Sequence, residues 1–268
     1  MNFHSDQWIN EHVKEHYKEA REHFPYDRIL GCFYQGSGNY GMDYKDSDVD
    51  TKLIMLPTVK ELAMGTQPTS TTHVRENDEH IDFKDLRLYL QIFRKQNMNF
   101  LEILFTPYWF ANEQYILEWK RLVDAREKIA RYSPVRAVKA MQGVAKEKYF
   151  AMEHHYPSRM HVIEKLGYDA KQTHHLLRVA DFIERYISGE SYQSCLTPRN
   201  LEYLVEVKKG LHTLEEARDI GSKTIAKIDE MCKDFVSKNT EATNPEIDEL
   251  LDDVQYNILK IAITNEIN

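Results

Sequence analysis

Residues 36–50 read GSGNYGMDYKDSDVD, and this stretch decides the fold. It begins with three glycines at the spacing G-x-G-x-x-G and ends with Asp48 and Asp50 in a D-x-D pattern. The residues before it, RILGCFYQ, are apolar and β-prone, and so is the segment DVDTKLIML that includes the two aspartates. The pattern predicts two strands joined by a glycine loop, with both carboxylates on the second strand.

A glycine loop of this spacing can bind phosphate, but the residues after it argue against three familiar loops. A dinucleotide-binding loop leads directly into a helix, whereas this one leads into the turn-like MDYKDSD and a strand. The Walker pattern requires Gly-Lys-Ser/Thr, and here Gly41 is followed by Met42. A protein kinase would also carry a V-A-I-K-like lysine, H-R-D and D-F-G, which do not occur in order.

The two carboxylates offer another interpretation. On a strand, residues i and i+2 face the same side, about 6.5–7 Å apart, so Asp48 and Asp50 could bridge two divalent metal ions. Two metals about 3.5–4 Å apart support in-line phosphoryl or nucleotidyl transfer. The neighbouring Asp46 is predicted to be a turn residue. The alternative for all three is a solvated acidic turn.

A third carboxylate on a neighbouring strand would complete such a cage. Asp82 is the candidate, because Ile81 and Phe83 on either side of it are apolar. If these two residues face the core, Asp82 faces the opposite side of the strand. The alternative is that Asp82 is an exposed hairpin carboxylate and that Asp78 or Asp85 is the third group.

A Gly-Ser turn ahead of a D-x-D strand, with a later aspartate, resembles the nucleotidyltransferase superfamily that includes DNA polymerase beta. In this chain the matching residues are Gly36-Ser37, Asp48-Val49-Asp50 and Asp82. The stretch also resembles the G-S-x-x-Y-G…DSDxD of a group of bacterial and phage nucleotidyltransferases, some linked to RNA ligases.

Two later segments strengthen the resemblance to that group, which extends over roughly residues 30–230. NMNFLEILFTP resembles N-x-N-x-L-E-L-L-F, and GYDAKQTHHLLR resembles G-Y-D-x-K…H-L-I-R. The residues that carry the match in these segments are Asn99, Glu102, Tyr168, Asp169, Lys171, His175 and Arg178. The chain departs from the group at Gly38 and Asn39, where other small or polar residues are usual.

The resemblance implies a Mg²⁺-dependent nucleotidyltransferase of a phage or bacterial RNA-repair type. It implies two metal ions, with Mn²⁺ as an alternative, held by Asp48, Asp50 and Asp82, and Asp82 as general base if it contacts the acceptor hydroxyl. A nucleoside monophosphate would move from an NTP, with ATP the first candidate, to an acceptor hydroxyl. The candidate nucleotide-binding residues are Gly36, Ser37, Tyr40, Lys84, His175 and Arg178.

Periodicity along the chain predicts α/β organisation at the front and helices at the back. Residues 6–23 have apolar residues at helical spacing, HVRENDEHIDFKDL is typical of a hairpin, and every segment after Pro134 is predicted to be helical. We therefore expect an α/β (α+β) protein. A small mixed-sheet nucleotidyltransferase domain, residues 1–125, would be followed by an all-helical domain, residues 126–268.

Composition limits the class of protein. The 268 residues carry a formal net charge of −8, which argues against coating nucleic acid through bulk charge. No apolar run reaches the ~18 residues of a membrane span. The N-terminus lacks the apolar core of a secretory signal, and three scattered cysteines form no disulfide framework, so a cytoplasmic protein is predicted.

The acceptor stays open at this stage. Acidic net charge favours a protein or small-molecule acceptor, whereas the resemblance favours RNA ends. The alternative from another class is a catalytically silent nucleotide-binding or antitoxin-type module of the same fold. Neither the base of the nucleotide nor the oligomeric state follows from the sequence.

Overall fold

A computed structural model describes residues 3–45 and 47–268 of the chain. Short 3-10 helices join several of its elements, the longest of them Ser37–Tyr40. In chain order the elements are α1 (Asp6–His23), β1 (Ile29–Gln35), β2 (Asp50–Met55), α2 (Val59–Ala63), β3 (Ser70–Val74), β4 (His80–Asp85), α3 (Leu86–Arg94), α4 (Met98–Leu101), β5 (Trp109–Ala111), α5 (Ile116–Asp124), α6 (Arg126–Ala130), α7 (Pro134–Ala151), α8 (Met160–Leu166), α9 (Ala170–Ile187), α10 (Tyr192–Leu196), α11 (Leu201–Lys208), α12 (Leu214–Lys238) and α13 (Pro245–Ile267).

The strands form one mixed sheet with the order β3-β4-β2-β1-β5. β1 pairs antiparallel with both β2 and β5, and β3 pairs antiparallel with β4. β2 and β4 lie side by side and parallel, with Lys52 opposite Asp82. Since paired residues of adjacent strands point to the same face, the register places Asp50, Lys52, Asp82 and Lys84 on one face of the sheet.

The other face of the sheet forms the core together with α1. Leu53 and Ile81 pack there against Ile9 and Val13, and all four are at most 1% exposed. The N-cap of α1 is Ser5, whose side chain accepts from the backbone N–H of Trp8. Its buried positions recur at helical spacing, so one stripe of the helix covers the sheet. The face that carries Asp50 and Asp82 is therefore the one turned away from this core.

The described chain divides into two compact units. Unit 1 takes in the described residues of Met1–Tyr132 together with Thr243–Asn268, and unit 2 is Ser133–Ala242. Unit 1 holds the sheet, and α13 returns to it by packing against α5 and α3. Arg94 helps to fix this packing, with Nε donating to Asp248 at 2.8 Å and NH2 to Asp252 at 2.7 Å.

Unit 2 is a helical assembly in which α9 is central. α7, α11 and α12 pack against α9. Asp169 caps the start of α9 by accepting from the backbone N–H of Lys171, and Arg159 pairs with the same carboxylate at 2.9 Å. Burial acts to raise the pKa of Asp169, but the hydrogen bond from Arg159 lowers it below the ordinary range.

The predicted fold class is confirmed, because the five-stranded mixed sheet precedes a region in which residues 134–268 contain helices and no strand. The predicted boundary between residues 125 and 126 stays a prediction. The predicted helical domain, residues 126–268, includes α13, whereas this helix lies in unit 1. Among the described residues, no helix is both long and apolar enough to cross a membrane.

Candidate active site

The glycine loop lies directly over the side chain of Tyr34. Gly36 has a φ of +157°, and a Cβ added there would lie 2.7 Å from the Tyr34 hydroxyl oxygen. The backbone N–H of Gly38 donates to that same oxygen at 3.0 Å. Tyr34 is only 2% exposed. The glycines therefore allow the backbone to come close to a buried tyrosine, which fixes the path of the loop.

A buried carboxylate supports the loop from its other side. The Tyr40 hydroxyl donates to Oε2 of Glu102, and Asn39 Nδ2 lies 3.5 Å from Oε1 of the same side chain. Thr106 donates to Asn39 Oδ1 at 2.7 Å. Both Tyr40 and Glu102 are buried. Tyr40 thus anchors the loop, and its predicted contact with the nucleotide stays a prediction.

Ser37 connects the loop to the D-x-D segment. Its hydroxyl lies 3.4 Å from the hydroxyl of Ser47, which directly precedes Asp48. Asp48 itself is exposed, whereas Val49 is buried. The two sequence-predicted features, glycine turn and aspartates, are therefore brought together. Asp46 lies outside the described residues.

The prediction that both aspartates lie on a strand is wrong for Asp48. β2 begins at Asp50, which pairs with Gln35, the last residue of β1. Beyond Gln35 the chain turns into the glycine loop, so Asp48 and Val49 have no strand to pair with on that side. The backbone N–H of Val49 donates instead to Oε1 of Glu79 at 3.3 Å.

Asp50 is held by a histidine of the adjacent strand. The backbone N–H of His80 donates to Oδ1 of Asp50 at 2.9 Å, and Nδ1 of the same histidine lies 3.0 Å from that oxygen. Burial, followed by the negative charge of Asp48, raises the pKa of Asp50, and His80 only partly offsets these effects. The negative charge of Asp48 thus disfavours the ionised form of Asp50.

Asp82 lies on the same face, between two buried lysines. Lys52 Nζ is 3.0 Å from Oδ2 of Asp82, and Lys84 Nζ is 3.8 Å from Oδ1. Both ammonium groups also lie over the ring of Phe100, at 4.2 and 5.4 Å from its centroid. Lys84 additionally contacts the Ser70 hydroxyl at 2.5 Å. Lys52 was not among the predicted site residues, although it lies two positions after Asp50 on the same strand.

The donor chemistry of this face fits Mg²⁺. Carboxylate oxygens are the ligands that Mg²⁺ prefers, and a divalent cation would neutralise the adjacent charges of Asp48 and Asp50. Among residues 3–45 and 47–268, however, no group of three His, Cys, Asp or Glu side chains is assembled closely enough to hold a metal. Lys52 already compensates Asp82, so binding of a metal there would require Lys52 to move.

The remaining predicted residues, His175 and Arg178, lie on α9 in unit 2. Burial, followed by the charge of Arg178, lowers the pKa of His175 well below its usual value. Arg178 is 8% exposed. The nearby Asp181 pairs with Arg185 and Arg199. The predicted roles of His175 and Arg178 in nucleotide binding stay predictions.

Comparison with protein families gives a match over most of the chain. Residues 6–254 match RlaP, described as the RNA repair pathway DNA polymerase beta family. The chain belongs to this family. The suspected relationship to DNA polymerase beta-like nucleotidyltransferases is thereby confirmed, and membership in RlaP supports an enzyme of this class. Comparison with curated proteins gives no match.

Proposed function

We propose that the protein transfers a nucleoside monophosphate from an NTP, with ATP the first candidate, to a hydroxyl of an RNA end. Pyrophosphate is the second product, and Mg²⁺, or Mn²⁺ in its place, is required. The observation that carries the proposal is the placement of Asp50 and Asp82 on one face of adjacent parallel strands, beside a glycine loop that contacts the D-x-D segment. The family description supports RNA as the acceptor.

The glycine loop would bind the triphosphate. Backbone N–H groups and a serine hydroxyl are suitable donors to phosphate oxygens. Ser37 supplies such a hydroxyl at the start of the 3-10 helix, 3.4 Å from the hydroxyl of Ser47, the residue before Asp48. Hydrogen bonds of Gly38 to Tyr34 and of Tyr40 to Glu102 hold the loop in place.

In the reaction, the acceptor oxygen forms a bond to the α-phosphorus, and the bond from that phosphorus to the bridging oxygen breaks. Pyrophosphate leaves with the bonding electron pair. The proton of the hydroxyl moves to Asp82, whose Oδ2 accepts from Lys52 at 3.0 Å and whose Oδ1 accepts from Thr72 at 3.4 Å. Asp48, Asp50 and Asp82 would hold Mg²⁺, which when bound makes the hydroxyl more acidic and stabilises the leaving group.

One observation favours a second candidate function. The ion pair of Lys52 with Asp82 places a fixed positive charge on the carboxylate that catalysis requires. A protein in which this pair persists with nucleotide bound would be a nucleotide-binding module without transfer activity. The two candidates predict opposite outcomes in a turnover assay.

The test is incubation of the protein with each α-labelled NTP and Mg²⁺, in the presence of RNA oligonucleotides with free hydroxyl ends, a protein mixture or small acceptors. We expect label on RNA and stoichiometric pyrophosphate. Asp50→Asn and Asp82→Asn should abolish both. Asp78→Asn is the matched control, since Asp78 is an exposed aspartate in the β3–β4 turn.

Three outcomes would contradict the proposal. Absence of pyrophosphate with every NTP, in Mg²⁺ and in Mn²⁺, would favour the silent module. Loss of activity in Asp78→Asn together with full activity in Asp82→Asn would show that the third carboxylate is Asp78. Label on protein rather than RNA would identify the other acceptor class.

A further inference from the structure

A buried histidine–glutamate pair lies behind the D-x-D segment, on the core side of the sheet. His16 of α1 is 0% exposed, and Glu79, which directly precedes β4, is 4% exposed. His16 Nε2 lies 3.0 Å from Oε2 of Glu79. Arg75 NH1 contacts the same oxygen at 2.6 Å. Neither His16 nor Glu79 belongs to the predicted site, and nothing in the proposed chemistry uses them directly.

This pair contacts both neighbours of Asp50. Glu79 Oε1 accepts from the backbone N–H of Val49 at 3.3 Å. His16 Nδ1 lies 2.8 Å from the hydroxyl of Thr51. The residue before Asp50 and the residue after it are therefore both hydrogen-bonded to this buried pair. Asp50 projects from the opposite face, where His80, the residue after Glu79, bonds its carboxylate.

The ionisation of Glu79 and the position of one proton of His16 follow from these contacts. Burial acts to raise the pKa of Glu79, but hydrogen bonds, first from His16 and also from Arg75, lower it to about 2. Glu79 is thus an ionised acceptor, and an ionised carboxylate cannot donate. His16 Nε2 must therefore carry the proton that it shares with Glu79. Donors from His16, Asn77, Arg75 and the backbone of Val49 together hold this carboxylate in place.

We propose that His16 and Glu79 are positioning residues that hold the D-x-D segment from behind, so that Asp48 and Asp50 are placed before any metal binds. The proposal rests on the metal-dependent function proposed above. Groups that orient metal ligands typically contribute about 10–100-fold to metal affinity or activity when they are removed. Without this attachment, Asp48 would lie on a segment that has no strand partner and would not be fixed relative to Asp50.

Glu79→Gln is the informative substitution. An amide has one acceptor oxygen, and two donors, His16 and Arg75, attract it to their side. Its NH₂ group then faces the N–H of Val49, which loses its acceptor. Glu19→Gln is the matched control, because Glu19 bonds Arg75 as well, at 2.8 Å, while its other carboxylate oxygen pairs with His73 of β3, away from the D-x-D segment.

The measurement is the affinity of the nucleotide-free protein for Mn²⁺, detected by electron paramagnetic resonance, with amide hydrogen exchange of Val49 as an independent readout. We expect Glu79→Gln to weaken Mn²⁺ binding by about 10-fold or more and to speed exchange at Val49. Glu19→Gln should leave the Mn²⁺ affinity and the exchange rate at Val49 unchanged. The melting temperatures of the two variants show how much stability is lost when a contact of Arg75 is removed.

The outcomes separate the two proposals. If the wild-type protein binds no divalent metal, the metal-dependent function fails and this inference fails with it. If the wild type binds Mn²⁺ but Glu79→Gln binds it equally well, only the positioning role is refuted. Equal weakening in Glu79→Gln and Glu19→Gln would also refute it, since a general loss of stability would then explain the effect.

Discussion

The glycine loop permits a quantitative test of why Gly36 is a glycine. Its conformation, φ +157° and ψ −176°, is one that residues with a Cβ rarely adopt, at a cost of about 1–3 kcal/mol. In Gly36→Ala the new Cβ would also displace the Tyr34 hydroxyl, only 2.7 Å away. Its hydrogen bond to Gly38 would be lost, at about 0.5–1.5 kcal/mol. We expect a total destabilisation of about 1.5–4.5 kcal/mol.

Gly41→Ala is the control, because Gly41 has a φ of +71° with open space around its Cβ position. It should cost only backbone strain, about 1–2 kcal/mol. In the double variant Gly36→Ala/Tyr34→Phe, the hydroxyl that the new Cβ would displace is absent. Each single substitution already breaks the hydrogen bond from Gly38 to this hydroxyl. The double variant should therefore lose less unfolding free energy than the two single variants lose together, by at least about 0.5 kcal/mol.

The assay is urea unfolding followed by tryptophan fluorescence, together with calorimetric measurement of NTP affinity. Fluorescence reports on unit 1 alone, since all three tryptophans of the chain lie there: Trp8, Trp109 and Trp119. Additive single and double effects, or a Gly36→Ala variant as stable as Gly41→Ala, would refute the role of Tyr34. Unchanged NTP affinity in Gly36→Ala would show that the loop is structural only.

Asp50→Asn should lower the rate of nucleotidyl transfer by more than about 100-fold, because a direct ligand contributes more than the residues that orient it; a melting temperature close to that of the wild type would exclude unfolding. Tyr40→Phe keeps the ring but removes the hydroxyl bonded to Glu102. Thermal denaturation should show that the free energy of unfolding falls by about 1–3 kcal/mol. A variant as stable as the wild type, with unchanged NTP affinity, would instead favour stacking of the ring on the nucleotide. The pKa of Glu79, lowered to about 2, predicts a contribution on the order of 3 kcal/mol at neutral pH that declines below about pH 5 and is lost near pH 2. The difference in unfolding free energy between wild type and Glu79→Gln should shrink accordingly between pH 7 and pH 3.

Periodicity predicted the elements that bury one continuous stripe or face. The segment 6–23 has an apolar stripe at helical spacing, and α1 has those bounds. β5 escaped prediction because Trp109–Ala111 is too short to show an alternating pattern. The packing of α13 could not be predicted either. The sequence of an amphipathic helix shows which face is buried but not which element covers that face.

In the candidate active site, too, the sequence does not show which distant residues become partners. Alternation of side chains correctly predicts that Asp82 points away from the core, because Ile81 and Phe83 are local neighbours. The partners of Asp82 and Val49 depend on strand register and on contacts far along the chain. Lys52 meets Asp82 through the parallel pairing of β2 with β4, and Glu79 meets His16 across 63 positions. No local pattern encodes such pairings.

The return of α13 to unit 1 has a consequence for biosynthesis. Unit 2 is inserted between Tyr132 and Thr243, and the chain leaves and re-enters unit 1 at adjacent points, where the N–H of Asn244 donates to the carbonyl of Tyr132 at 3.0 Å. Because a ribosome delivers the chain from its N-terminus, all of unit 2 emerges before the helix that covers α3 and α5. Until α13 emerges, the surface of α3 and α5 that it covers stays exposed, and exposed apolar surface makes a partly synthesised chain prone to aggregation.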